Sequence, residues 1–130
     1  MPETATCGNK NMIEPGEIYF VKKGRGESSG CEIKSGRPGI VISSKEAIAC
    51  QGTVNIVYIT SSSGEKQYTV NISDTSFTHA IKQYNAHTAL CGQIHAVDKG
   101  RLGNYLGKIN GSEFSEITKQ IRRANQDFRM

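Results

Sequence analysis

The sequence predicts a mainly β fold, a small, curled antiparallel sheet followed by one C-terminal helix. Three observations predict it. Short apolar or alternating runs of strand length recur along most of the chain, turn-forming residues separate them, and only the last part carries the pattern of a capped amphipathic helix. The 130 residues are expected to form a single domain that is large enough to bury its own core.

Five segments have the composition and spacing of strands, namely residues 17–21, 39–43, 54–59, 68–72 and 88–97. The stretch 102–109 is ambiguous, because its apolar residues recur at helical spacing while Gly100, Gly103 and Gly107 weaken that pattern. It is compatible with a short helix followed by a strand. The helix near the C-terminus is better defined, since Asn110 is a good N-cap with Glu113 three residues on. The apolar residues that follow at helical spacing are Phe114, Ile117, Ile121 and Ala124.

Composition limits the function classes. No apolar stretch reaches the roughly 18 residues of a membrane span, and the polar segment 1–12 has no apolar core for export, so we expect a flexible N-terminal segment and a cytoplasmic protein. The four cysteines form no close pair, which argues against a zinc site or a disulfide framework. A net charge of +4 favours an anionic partner. The long glycine- and serine-rich stretch 24–36 predicts a functional or mobile loop.

The segment Gly36-Arg37-Pro38-Gly39 predicts a kinked turn that presents one guanidinium at the mouth of a buried strand. A guanidinium is always charged and offers five donors in one plane, so in a fixed position it suits a phosphate or a carboxylate. The ordinary alternative is an arginine paired with a surface carboxylate.

Four segments in order resemble the PemK/MazF family of toxin ribonucleases: PGEIYFV at 15–21, GRPGIVIS at 36–43, VYITS at 57–61 and ALCGQIHAVDKGRL at 89–102. The likeness extends over roughly residues 13–121. It implies an SH3-like barrel, a homodimer, a cognate antitoxin and metal-independent cleavage of single-stranded RNA without a cofactor. In the MazF-like branch, the catalytic arginine and threonine fall on Arg37 and Thr60. The arginine and aspartate that the PemK branch places beside Leu90-Cys91-Gly92 are absent, and His95 stands where the family usually has arginine.

The inventory of side chains agrees with such chemistry. Acidic residues are dispersed, whereas two-metal hydrolysis needs several carboxylates together. RNA supplies its own nucleophile, the 2′-hydroxyl, so a fixed arginine and a strand-end hydroxyl would suffice to align it and stabilise phosphoryl charge. The expected products are a 2′,3′-cyclic phosphate and a 5′-hydroxyl. Candidate RNA-binding residues around this site are Gly36, Ser61, Ser62, Gln93, His95, Lys22, Lys23 and Lys34.

Three histidines, His79, His87 and His95, are candidates for the residue that transfers the proton, because the ordinary pKa of histidine suits this role. His95 is the best placed, on the predicted strand and face of Gln93, although an RNA-contacting or surface role is favoured for it. Tyr19 could stack on a base, but a core position is favoured. The alternative function is a non-catalytic barrel, like the gyrase poison CcdB, that binds a protein or RNA target. Arg37 together with Thr60 distinguishes the two, because a pure binder has no need of them.

Overall fold

The computed structural model describes residues 13–22, 36–60, 67–73, 76 and 87–125. Within these ranges the chain forms seven strands and two helices. In chain order they are β1 (Glu17–Lys22), β2 (Gly36–Val41), α1 (Lys45–Cys50), β3 (Thr53–Thr60), β4 (Thr69–Asn71), β5 (Thr88–Leu90), β6 (His95–Asp98), β7 (Leu102–Lys108) and α2 (Gly111–Ala124). A single 3-10 turn, Lys99–Arg101, links β6 to β7.

The seven strands form one antiparallel sheet. Its order is β4-β5-β3-β2-β1-β7, and β6 pairs with β3 beside β5. This antiparallel sheet with a C-terminal helix confirms the predicted fold class. Across the described strands the sheet is open, with β4 and β7 at its two ends, rather than closed into a barrel.

Both faces of the sheet are apolar, so the molecule has two core clusters. On one face, α2 packs against the sheet through the fully buried Ile117, with Phe114 and Ile121 beside it. On the other face, Ile48 of α1 packs against buried residues of β1, β2, β3 and β6. A helix on each face covers the sheet because strands apolar on both sides must be buried on both sides.

The predicted capping box of α2 is confirmed. The Oδ1 atom of Asn110 accepts from the Glu113 N–H at 2.8 Å, and Glu113 accepts from the Asn110 N–H at 3.2 Å. The Glu113 carboxylate also accepts from the Ser73 N–H at 2.8 Å and the Ser76 hydroxyl at 2.6 Å. It therefore joins the helix start to the segment that follows β4.

Several predicted elements differ from the structure. Residues 102–108 form strand β7, with only a 3-10 turn before it instead of a helix. The predicted strand 88–97 is interrupted at residues 91–94, which separate β5 from β6. The short helix α1 has no counterpart in the prediction, and the Ser44 side chain caps it by accepting from the Ala47 N–H at 3.2 Å.

Two further predictions, the N-terminal segment 1–12 and nearly all of the loop 24–36, lie outside the described residues. Neither helix in the described ranges combines the length and apolar character needed to cross a membrane.

Candidate active site

The residues predicted to form a kinked turn are instead the first half of β2. Gly36 pairs with Lys22 and Arg37 with Val21, so the arginine is extended, as its position before Pro38 predicts. Gly36 has a φ of +124°, and a Cβ atom there would lie 1.9 Å from the Val21 carbonyl oxygen. Only glycine fits this close approach. The arginine is therefore presented by a paired strand, which fixes its backbone more firmly than a turn would.

Pro38 marks the point where β2 stops pairing with β3. The last pair between these strands is Gly39 opposite Tyr58, and the proline next to Gly39 has no N–H to offer. Two residues beyond that pair along each strand lie Arg37 and Thr60. The two predicted catalytic residues thus belong to neighbouring ends of adjacent strands, on the same face by alternation.

The Arg37 side chain rests on an aromatic ring. Its guanidinium carbon lies 4.6 Å from the centroid of the Tyr58 ring, a cation–π contact. The other neighbour of that ring is His95, whose imidazole centroid lies 4.9 Å from the Tyr58 centroid with the planes inclined at 59°. Among the described side chains, no carboxylate forms an ion pair with Arg37. The ordinary alternative, in which Arg37 pairs with a surface carboxylate, is therefore not found among the described residues.

The surroundings of His95 favour its neutral form. Burial lowers the pKa of this imidazole below 6.5, and the charges of Arg37 and Arg101 lower it further. Both causes act in the same direction because each penalises a positive charge. At neutral pH, His95 is an uncharged ring that can accept a proton.

A second arginine joins the cluster from the turn before β7. The Nε atom of Arg101 donates to the Lys22 carbonyl oxygen at 2.8 Å, and Lys22 is the residue opposite Gly36. This hydrogen bond connects the turn to the end of β1 that flanks the arginine strand. Lys22 itself has an exposed side chain. The site therefore gathers two arginines, Arg37 and Arg101, around one tyrosine and one neutral histidine.

The structure brings together only some of the predicted RNA-binding residues. Gly36 adjoins Arg37, and His95 lies on the Tyr58 ring that Arg37 also contacts. Lys22 is opposite Gly36, but it alternates with Val21, so its side chain projects from the other face of the sheet. Gln93 is exposed in the interruption between β5 and β6, so the prediction that it shares a strand and a face with His95 is wrong. The residues Ser61, Ser62, Lys23 and Lys34 lie outside the described ranges.

Two members of the cluster, Tyr58 and Arg101, were missed as site residues in the sequence. Tyr58 precedes Thr60 by two residues, so strand alternation places both on one face. This alternation could have identified Tyr58 as a site residue. Arg101 belongs to a basic cluster with Lys99 and Lys108, which favours a binding role as much as a solvated face, but no local pattern predicts its contact with Lys22, 79 positions away.

Cys91 is a core residue and not a nucleophile of this site. Cys91 is fully buried, as a core residue is expected to be, and its burial raises the pKa of the thiol to about 12. A thiol in this environment is not a nucleophile at neutral pH. Over the described ranges, His, Cys, Asp and Glu side chains do not gather in any group of three that could hold a metal ion.

Comparison with known proteins defines the class. The model of the PemK-like, MazF-like toxins of type II toxin–antitoxin systems matches residues 14–124, and the chain belongs to this family. No curated protein gave a significant match in sequence comparison.

Solved structures with the same fold include three informative examples. An endoribonuclease from Mycobacterial species has 16% identity and a TM-score of 0.67, over 88% of this chain and 91% of that one. The MazE–MazF complex (Form-II) from Deinococcus radiodurans has 14% identity and a TM-score of 0.71, over 88% and 96%. A Mycobacterial endoribonuclease in complex with its cognate antitoxin has 17% identity and a TM-score of 0.68, over 86% and 93%. At these identities, the likeness establishes the fold.

Proposed function

We propose that this chain is the toxin of a type II toxin–antitoxin module and cleaves single-stranded RNA without a metal ion. Attack by the 2′-hydroxyl would give a 2′,3′-cyclic phosphate and a 5′-hydroxyl. Family membership supports the toxin role. The observation that carries the nuclease role is the Arg37 guanidinium, held on the Tyr58 ring and not neutralised by a described carboxylate.

The proposed roles follow from the chemistry of the cluster. Arg37 stabilises the charge that develops on the phosphoryl oxygens, because it is permanently cationic and positioned before the substrate binds. The Thr60 hydroxyl, at the neighbouring strand end, donates to the same phosphoryl group. The imidazole of His95, which burial and the nearby arginines keep uncharged at neutral pH, accepts the proton of the 2′-hydroxyl, and the leaving 5′-oxygen takes a proton from water.

RNA binding is assigned to the polar and cationic groups around this cluster. Lys22 contributes charge at the end of β1, and Gln93 is exposed for contact with a base edge. Lys23, Lys34, Ser61 and Ser62 complete the proposed set. In the sequence, Lys23 directly follows β1, Ser61 and Ser62 directly follow β3, and Lys34 lies two positions before β2.

Cleavage of a defined RNA by the purified chain in the presence of EDTA tests this function. We expect 5′-hydroxyl and cyclic phosphate ends, and we expect an RNA lacking the 2′-hydroxyl at the mapped step to resist. Arg37→Ala should lower kcat by some hundreds-fold, about 3–4 kcal/mol of transition-state stabilisation. Thr60→Val, which keeps the shape and removes the hydroxyl, should also reduce kcat.

Two results would contradict the proposal. Cleavage of the 2′-deoxy substrate at the full rate would exclude the 2′-hydroxyl mechanism. A folded Arg37→Ala variant retaining more than about a tenth of the rate would remove the arginine from catalysis. Intact RNA together with growth arrest would point instead to a non-catalytic binder.

The proposed assembly is a cytoplasmic homodimer of single-domain chains, residues 1–130, restrained by a cognate antitoxin. A similar solved Mycobacterial endoribonuclease is described in complex with its cognate antitoxin, which supports the antitoxin partner. Size-exclusion chromatography with light scattering measures the oligomeric state. A monomer at micromolar concentration that still cleaves RNA would contradict it.

A further inference from the structure

Three tyrosines form one row across the sheet. Tyr105 of β7 lies opposite Tyr19 of β1, Tyr19 lies opposite Gly39 of β2, and Gly39 lies opposite Tyr58 of β3. Residues directly opposite each other in an antiparallel pair project from the same face. The aromatic row (Tyr105, Tyr19 and Tyr58) therefore shares its face with Arg37.

The outer end of the aromatic row is exposed and supported. Tyr105 is 44% exposed, one of two large hydrophobic residues in the described ranges with so much free surface. It packs edge-to-face on Tyr19, with ring centroids 5.7 Å apart and planes at 71°. The Tyr19 hydroxyl donates to the Glu17 carboxylate at 2.8 Å, and this carboxylate also accepts from the Glu14 N–H at 2.8 Å. Because its hydroxyl is hydrogen-bonded, the Tyr19 ring is held in place, and Tyr105 packs against this fixed ring.

We propose that Tyr105 is a stacking subsite for one unpaired base of the RNA, remote from the scissile phosphate. The inference rests on the proposed function, since it extends the RNA path from the Arg37 site along the same face. Unstacked bases of single-stranded RNA are bound on aromatic side chains, whereas phosphates are bound by cations. The Glu17 carboxylate beside Tyr19 repels a phosphate and leaves an uncharged base as the suitable occupant of this end.

The separation of the two sites sets the length of RNA that both can bind. From β2 to β7 there are two strand spacings, about 10 Å, and Arg37 lies two residues, about 7 Å, along β2 from the aromatic row, so the backbone separation is about 12 Å. That distance corresponds to about three to four steps of 3.4 Å in a stacked strand, and to fewer when the nucleotides are splayed. Tyr105 should therefore affect only RNAs that extend beyond the nucleotides bordering the cleaved bond.

The test compares Tyr105→Ala with Tyr105→Phe, which keeps the ring, and with Asn104→Ala, a change at the adjacent exposed residue of β7. Fluorescence anisotropy measures affinity for an RNA that lacks the 2′-hydroxyl at the mapped cleavage step, or for the unmodified RNA if none is cut. A series shortened by one nucleotide at a time from either end accompanies it. Loss of one stacked base predicts about a 5- to 150-fold weaker Kd for Tyr105→Ala with the longest RNA.

We expect Tyr105→Phe and Asn104→Ala to bind like the wild type, and the loss in Tyr105→Ala to disappear once the RNA is shortened past the subsite. Unchanged affinity of a folded Tyr105→Ala variant would overturn the proposal. An equal loss for long and short RNAs would do so too, as would dissociation of an oligomer by this substitution, which would make the surface a protein interface. Tyr105-dependent binding of an RNA that is never cleaved would support the subsite while refuting the nuclease.

Discussion

Replacing Tyr58 by leucine tests whether the ring holds the guanidinium of Arg37, the proposed catalytic group, in place. Leucine keeps an apolar side chain in the half-buried position but has no aromatic face for Arg37. If the ring fixes the guanidinium, Tyr58→Leu should lower kcat with a smaller effect on RNA affinity, since the charge remains while its position is lost. Tyr58→Phe, which keeps the face and removes the hydroxyl, is the matched control.

The expected size follows from the contact. The guanidinium lies 4.6 Å from the ring centroid, well within the roughly 6 Å limit of a cation–π interaction. Such contacts are worth about 0.5–1 kcal/mol when exposed and about 2 kcal/mol when desolvated. Both side chains here are intermediate in exposure, which gives about 1–1.5 kcal/mol. That corresponds to about a 5- to 12-fold lower kcat, far less than removal of the arginine itself.

Single-turnover cleavage of one RNA measures this rate, and thermal unfolding verifies that each variant is folded. The double variant Tyr58→Leu/Arg37→Ala completes the cycle. If the ring acts through the arginine, Tyr58→Leu should have no further effect when Arg37 is already alanine. An equal reduction in both backgrounds would refute the reasoning, and so would a Tyr58→Phe variant as impaired as Tyr58→Leu.

The remaining predictions concern stability and pH. Gly39→Ala should lower the free energy of unfolding by about 1–3 kcal/mol in urea denaturation, because its Cβ would lie 2.9 and 3.0 Å from side chains of β3 and β1, whereas Gly52→Ala, with open space around it, should be nearly neutral. The lowered pKa of His95 means that the unfolded chain takes up this proton first, so stability should fall as pH drops through 6.5 toward the folded-state pKa. His95→Gln should remove that part of the decline in urea denaturation at roughly pH 7.5 and 5.5, and an unchanged slope would contradict it. Asn110→Ala should cost about 1 kcal/mol and Glu113→Ala about twice that, since the glutamate also binds the segment after β4; equal thermal shifts would contradict this difference.

Sequence patterns predicted the elements that follow one regular period. Strands β1 and β3 and the capped helix α2 lie close to the predicted bounds, because each has an uninterrupted apolar pattern and clear end signals. Strand β7 was misread for a physical reason. Its pairing with β1 contains a register shift, because Tyr19 lies opposite Tyr105 while Val21 lies opposite Leu102. Two apolar residues three positions apart therefore share a face, a spacing that imitates a helix.

The candidate site was predictable only in part. The strand-forming effect of Pro38 and the position of Arg37 follow from local sequence. The contact between Arg37 and Tyr58 depends on the pairing of β2 with β3, which is set by the whole sheet. The interruption at residues 91–94 moved Gln93 away from the strand of His95, and no turn signal stronger than Gly92 announces it. The side-chain contacts of the site thus depend on the pairing of distant strands, which local periodicity does not predict.

A guanidinium supported by a ring differs from one clamped by a carboxylate in what an incoming anion must do. An anion that binds an arginine already paired with a carboxylate must displace that carboxylate. Its net binding free energy is therefore only the difference between the two interactions. Arg37 has no such resident counterion among the described side chains, so the full attraction is available to whichever anion arrives. An acidic inhibitory segment and an RNA phosphate would then compete for the same guanidinium. Such a segment would inhibit the toxin by keeping RNA from binding there.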